Sequence, residues 1–202
     1  MSRIVLITGA AGRIGSSLTR DLAGRYELSL TDVRSPTDTH GLPFAEADIA
    51  DLEAMRRLCQ GVDTVVHLAA DPSMEATWES LLPRNLVGLY NIFQAAHEAR
   101  CRRVIFASSV NAVFGYPKDV QVRTDMPVRP LNLYGASKAW GEAVACFYAD
   151  QRGLSGICLR FGVFHGVSNN RWKRLDISDA RAILGYAPED DAFALAGVVP
   201  GA

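Results

Sequence analysis

The stretch TGAAGRIG, residues 8 to 15, constrains the fold more than any other part of the chain. Its glycines at 9, 12 and 15 follow RIVLIT (3–8), a short apolar run rich in β-branched residues. Over residues 13–24 Ile14, Leu18 and Leu22 recur four apart, with Gly24 as a stop. A buried strand, a tight turn and an amphipathic helix satisfy all three features. Such a turn lets the backbone approach a pyrophosphate, while the helix N-terminus supplies N–H groups and partial positive charge. A plain glycine-rich turn is the alternative, and the strand before and helix after favour the cradle. The pattern therefore predicts a dinucleotide site at Gly9, Gly12, Arg13, Ile14 and Gly15.

The rest of the chain repeats the strand–helix alternation. YELSLTD (26–32) reads as a strand, PFAEAD (43–48) as a short one, and VDTVVHLAA (62–70) as a buried one. RRVIFASS (102–109) and GICLRFGVF (156–164) complete the set. Helices are expected at 51–61, with Leu52, Met55, Leu58 and Cys59 inward, at 85–100 and at 134–151. Between 110 and 133, Pro117, Pro127 and Pro130 mark a long irregular connection, and such loops are commonly functional. Near-continuous apolar strands alternating with helices predict an α/β fold, a parallel sheet covered on both faces.

Asp32 ends the second strand about 20 residues beyond the glycines, where a carboxylate can accept both hydroxyls of an adenosine ribose. A 2′-phosphate would meet like charge there, so NAD is favoured over NADP, and Arg34 softens that preference. Asp48, followed by Ile49, either contacts an adenine ring or caps the helix beginning near Asp51.

YGASK places Tyr134 and Lys138 four apart near a helix start, on one face. A phenol titrating near pH 10 is a poor base at neutrality. A neighbouring ammonium favours its ionised form, giving a phenolate able to take a proton from a substrate alcohol. Ser108 and Ser109 end a strand, where open parallel sheets place ligands. Ser109, with Ser108 as the second choice, is expected to hold the substrate oxygen; the alternative is that both only satisfy loop backbone.

Composition excludes other classes. The 202 residues are 49% hydrophobic and 21% charged with a formal net charge of −1, so no basic field exists to hold nucleic acid or an anionic membrane. Four cysteines, Cys59, Cys101, Cys146 and Cys158, lack metal or disulfide spacing and read as small buried apolar groups of a reducing compartment. The apolar run after Arg3 is too short for a signal or a membrane span, so a cytoplasmic location is expected. His40, His67, His97 and His165 show no metal-ligand spacing and are read as structural or exposed, His165 being the best candidate for an exception.

Together TGAAGRIG, HLAA, NLVGLYNIFQAA, VIFASSVNAVFGYP and LYGASKAWGE resemble the extended short-chain dehydrogenase/reductase family of NAD-dependent epimerases and dehydratases, nearest to its uronate dehydrogenases. The motifs run in the expected order from residue 3 to about 163. The resemblance implies a Rossmann-type doubly wound domain over 1–202 and NAD on Gly9, Gly12, Gly15, Asp32 and Asp48, with Ala69 and Asn85 lining or bracing its site. It also implies Tyr134 as acid/base, Lys138 on the nicotinamide ribose, and a serine on the substrate oxygen.

One departure matters. LRFGVF runs straight into HGVSNNRWKRLDISDARAILGYAPEDD, as though the family's substrate-gripping middle had been removed. Residues 165–202 then form a reduced substrate-side segment and the pocket is open. Arg171 and Arg174 are either a replacement carboxylate clamp or a solvated basic patch. Glu189, Asp190 and Asp191 read as an acidic surface turn. Three functions compete: a sugar or sugar-acid dehydrogenase, a nucleotide-sugar epimerase or dehydratase, and an NAD-binding module with weakened catalysis. A homodimer is expected through the helices at 85–100 and 134–151, using Leu89, Phe93, Trp140 and Phe147.

Overall fold

A computed structural model describes residues 3–162 of the chain. Six strands, β1 (Ile4–Thr8), β2 (Glu27–Asp32), β3 (Phe44–Glu46), β4 (Thr64–His67), β5 (Arg103–Ser109) and β6 (Ser155–Phe161), form one sheet. The order is β3-β2-β1-β4-β5-β6 and every pairing is parallel. The chain turns outward in both directions from β1, so the crevice beyond the carboxyl ends of β1 and β4 is where such a sheet receives a ligand.

Alternation along β1 sends its side chains to two cores. Leu6 joins Val65, Val104 and Phe106 beneath α2 (Leu52–Leu58), α4 (Gly88–Glu98) and α5 (Leu133–Arg152). Val5 and Ile7 join Leu28, Leu30 and Val66 beneath α1 (Arg13–Leu22), which contributes Leu18 and Leu22. Burying each large aliphatic side chain contributes about 2 kcal/mol, so the sheet is anchored from both faces. Among the described residues the cover is uneven, with one helix on one face and three on the other.

The helix expected over 85–100 differs. It begins at α3 (Trp78–Leu81), widens to π spacing over Leu82–Val87, and resumes α spacing as α4. Pro83 lies inside this stretch and has no N–H to donate. The helical path passes through it, and the N–H of Gly88 bonds back to the Pro83 carbonyl, five residues earlier. Widened turns of this kind occur frequently at functional sites.

α5 is the longest of the described elements. Asn132 caps it, its Oδ1 accepting from Gly135 N at 2.8 Å, and Gly153, at φ 69°, ends it in the left-handed region. Two interface residues expected on these helices are corrected. Leu89 and Phe93 are fully buried in the chain's own core, because α4 packs its apolar stripe on the sheet. Trp140 and Phe147, expected there as well, are exposed, and so are Val87 and Tyr90. Cys146 is exposed, whereas Cys59 and Cys101 are buried and Cys158 is half-buried. His165, Arg171, Arg174, the acidic turn at 189–191 and the whole of 165–202 lie outside the described residues.

Candidate active site

The glycine loop leaves β1 at Thr8 and enters α1. Gly9 adopts φ 72°, and a Cβ there would stand 2.6 Å from the backbone N of Ala69. At Gly15 a Cβ would meet the Gly9 carbonyl at 2.2 Å, so this glycine sets how closely α1 packs on the loop. Gly12 is different. Its Cβ would touch only the Gly9 carbonyl, at 3.2 Å, and otherwise project into open space. Gly12 is also the N-cap of α1, with no side chain to cap the first turn. A bare backbone at a helix N-terminus suits a pyrophosphate, which a side chain would displace. The residues present therefore fit a dinucleotide.

Asp32 ties the loop to β2: its Oδ2 accepts from Ala11 N at 2.9 Å. The carboxylate thus sits beside the glycine turn, as a ribose partner must. Asp48 is exposed and its Oδ1 accepts from Ala50 N at 2.9 Å, while Asp51 caps α2 by accepting from Ala54 N. Of the two roles open to Asp48, capping is therefore performed by another residue. Ile49 is buried against Gly88 and its carbonyl accepts from Asn91 Nδ2, so its side chain serves packing. Ala69 donates its N–H to Thr8 Oγ1 at 3.3 Å, next to the glycine turn.

Tyr134, Lys138 and Ser109 converge at the carboxyl end of β5. The Tyr134 ring is almost buried, packed with Ala76, Leu81 and Leu86. Lys138 Nζ lies 5.6 Å from the centre of that ring and donates to the Ala107 carbonyl at 2.8 Å. Burial pulls its pKa down to about 7, well below that of a solvated lysine. The phenol is raised above its ordinary value, chiefly by burial and secondarily by the Asp71 charge, while its contact with Ser109 pulls it down. The expected lowering of the phenol by Lys138 is thus corrected for the chain on its own. Desolvation of both groups dominates, and the ammonium is turned to a backbone carbonyl.

Ser108 goes elsewhere. Its hydroxyl donates to Glu142 Oε1 at 2.6 Å, and Arg160 grips the same carboxylate through Nε and Nη2, both at 2.8 Å. The structure brings Ser109 to Tyr134 and leaves Ser108 in a brace between β5, β6 and α5.

Several participants escaped sequence reasoning. Asp71 follows the HLAA run, so its place beyond a strand end was the available signal. Its N–H donates to Asn85 Oδ1 at 2.8 Å, and Asn85 Nδ2 donates to the Asp71 carbonyl and to Ser137 Oγ at 3.1 and 3.0 Å. The Asp71 carboxylate accepts from Ser80 Oγ and from Ser73 N, which hold it below the usual carboxylate range. Ser137 Oγ in turn donates to the Tyr134 carbonyl at 2.7 Å. Asn85 therefore braces the loop after β4 against the helix carrying Tyr134. His67 is buried, stacked on Phe106 and paired with Thr8 Oγ1 at 2.8 Å. Burial first, and the nearby Lys138 second, lower it to about 3, so it is neutral at neutral pH. Among the described residues no group of three or more potential ligand side chains could hold a metal, and no helix is long and apolar enough to cross a membrane.

Comparison with known proteins agrees with this geometry. The NAD dependent epimerase/dehydratase family matches residues 5–182. An NAD-dependent glucose-6-phosphate dehydrogenase of Haloferax volcanii is 30% identical over 95% of either chain. That alignment runs over 251 positions, more than the 202 residues here, so the relative carries residues inside the matched span that this chain lacks. A uronate dehydrogenase of Pseudomonas putida is 37% identical over 78% of this chain, which spans 60% of that relative's length. A crystal structure of an Agrobacterium tumefaciens uronate dehydrogenase variant complexed with NAD superposes with a TM-score of 0.81 at 27% identity, covering 99% of this chain and 91% of that one. UDP-glucose 4-epimerases are also matched.

Proposed function

Because this chain belongs to the NAD-dependent epimerase/dehydratase family, we propose that it binds NAD across the Gly9–Gly15 turn and oxidises a hydroxyl of a sugar or sugar acid. The meeting of Ser109, Tyr134 and Lys138 beyond β5, on the side of the sheet's carboxyl ends where the glycine turn lies, carries this reading. Gly12 and the N-terminus of α1 would hold the pyrophosphate, Asp32 the adenosine ribose, and Lys138 the nicotinamide ribose. Bound NAD supplies the hydride acceptor. The protein's own work is proton handling. Ser109 holds the substrate oxygen beside the phenol, and Tyr134 takes the hydroxyl proton as the carbon is oxidised. Lys138, once engaged by a ribose, would keep its proton more readily than in the free chain and lower the phenol.

Asp32 favours NAD over a 2′-phosphorylated cofactor. The substrate class, a uronate or a neutral or phosphorylated sugar, follows the relatives' names. The test is direct: protein with NAD and D-glucuronate, glucose 6-phosphate or L-arabinose, read as NADH absorbance. Net NADH that disappears in Tyr134→Phe supports a dehydrogenase. An interconverted UDP-sugar with no NADH accumulation supports the second reading, an epimerase, which the matched UDP-glucose 4-epimerases favour. Binding of NAD with no turnover on either panel leaves a dinucleotide-binding module.

We further infer a homodimer. Val87, Tyr90, Trp140 and Phe147 are exposed apolar side chains on helical segments that contact one another, which supports a second chain covering them. A reducing, cytoplasmic setting accords with four free cysteines.

A further inference from the structure

The hydroxyl of Ser109 is held from one side. Asn111 donates to Ser109 Oγ twice, from its backbone N–H at 3.1 Å and from Nδ2 at 3.2 Å. A serine oxygen has two acceptor lone pairs and one hydrogen. Asn111 fills both acceptor positions, so the hydroxyl has only its hydrogen left to give.

The Asn111 amide is itself fixed. Asn132 caps α5 with Oδ1, accepting from Gly135 N at 2.8 Å, which turns its Nδ2 towards Asn111 Oδ1 at 3.4 Å. With its oxygen facing Asn132, Asn111 must present Nδ2 to Ser109. The backbone is held equally closely. The Asn111 carbonyl accepts from Leu131 N at 3.0 Å, and a Cβ on Gly135 would stand 2.2 Å from that carbonyl oxygen. The first turn of the helix bearing Tyr134 is thus seated on Asn111.

We propose that Asn111, locked by Asn132 to the start of α5, is a positioning residue that aims the Ser109 hydroxyl hydrogen into the site, at the phenol oxygen of Tyr134 in the free protein and at the substrate oxygen once a sugar is bound. The inference rests on the reading of Tyr134 as the acid/base. A hydrogen given to the phenol oxygen favours phenolate over phenol, which opposes the effect of burial. A hydroxyl left free to rotate gives its hydrogen there only part of the time.

A double-mutant cycle tests this with Asn111→Ala, Ser109→Ala and the pair. The first readout is an ultraviolet titration of the Tyr134 phenol without cofactor, taken as the difference from Tyr134→Phe. The second is the pH profile of kcat. Asn111→Ala should raise the phenol midpoint by about half a unit and reduce kcat by about tenfold, the worth of one aimed hydrogen bond. In the Ser109→Ala background the same change should add less than about twofold. Asn132→Ser keeps a competent helix cap but loses the amide facing Asn111. It should shift the midpoint in the same direction, by less, with an unchanged melting temperature. An effect of Asn111→Ala that is equal with and without Ser109, or an unmoved midpoint in Asn111→Ala, overturns the proposal. Failure of the wild-type protein to take up NAD would instead count against the functional reading, and the cofactor-free titration would still decide the role of Asn111.

Discussion

Ser108 and Ser109 are adjacent in sequence, yet they face α5 about two turns apart: the Ser108 hydroxyl donates to Glu142 at 2.6 Å, while Ser109 lies beside Tyr134. On the proposed function, one serine serves architecture and the other chemistry. Ser109→Ala should lower turnover by about a hundredfold with little change in melting temperature. Ser108→Ala should leave turnover within about threefold but destabilise the fold by about 1–2 kcal/mol, because Glu142 loses a buried donor. Steady-state kinetics and thermal melts on the two variants check the division.

The glycines of the turn are separable in the same way. Gly15→Ala places a methyl against the Gly9 carbonyl and the Ala10 backbone, at 2.2 and 2.8 Å, and neither can move aside. It should cost about 3 kcal/mol of stability. Gly12→Ala meets only one oxygen, at 3.2 Å, and should fold nearly as well as the parent chain. Its NAD affinity should fall by about thirtyfold, since the methyl fills the place of the pyrophosphate. Denaturant melts beside calorimetric titration with NAD distinguish the two.

Lys138 makes stability depend on pH with a definite sign. Its pKa falls from 10.5 in the unfolded chain to about 7 in the fold. The unfolded state therefore binds more protons between those values, and stability rises with pH across that window. Below pH 7 the full cost of burying the charge is present. Lys138→Met should accordingly stabilise the cofactor-free protein by a few kcal/mol, on the order of the shift converted at about 1.4 kcal/mol per unit. That gain should shrink as pH rises towards 10, while catalysis is lost throughout. Melting temperatures from pH 6 to 10 for both proteins provide the check.

Asp32→Asn keeps the acceptor for Ala11 N but removes the charge. NAD affinity should fall by about tenfold, and the preference over NADP should narrow by more than that as repulsion of a 2′-phosphate disappears. Calorimetry with both dinucleotides measures the ratio.

If the exposed aromatics of α4 and α5 pair two chains, Trp140→Glu should give a monomer by light scattering at micromolar concentration, with NAD binding retained.

The glycine turn, Asp32 and the Tyr134–Lys138 spacing were legible in the sequence because each depends on local geometry: a strand end, a helix start, four residues of separation. That the strands form a parallel sheet followed from the strand–helix alternation, and its doubly wound arrangement was implied by the family resemblance. What escaped were partnerships across long sequence separation. Nothing near Ser108 announces Glu142, 34 residues on. Nothing in HLAAD announces that Asp71 would be braced by Asn85. Leu89 and Phe93 on α4 were expected to face a second chain, because an apolar position does not announce which surface will cover it; the sheet does. The phenol's raised pKa was likewise hidden, because burial depends on the whole packed environment and spacing reports only the nearby cation.

The widened turn at Leu82–Val87 has an evolutionary side. Losing one residue there would let the helix run on in ordinary spacing, with better-aligned backbone bonds, and would swing Asn85 by about 100° around the axis, away from Asp71 and Ser137. A simpler helix is therefore one codon away, and it would cost the buried Asn85 amide its hold on the loop beside Tyr134.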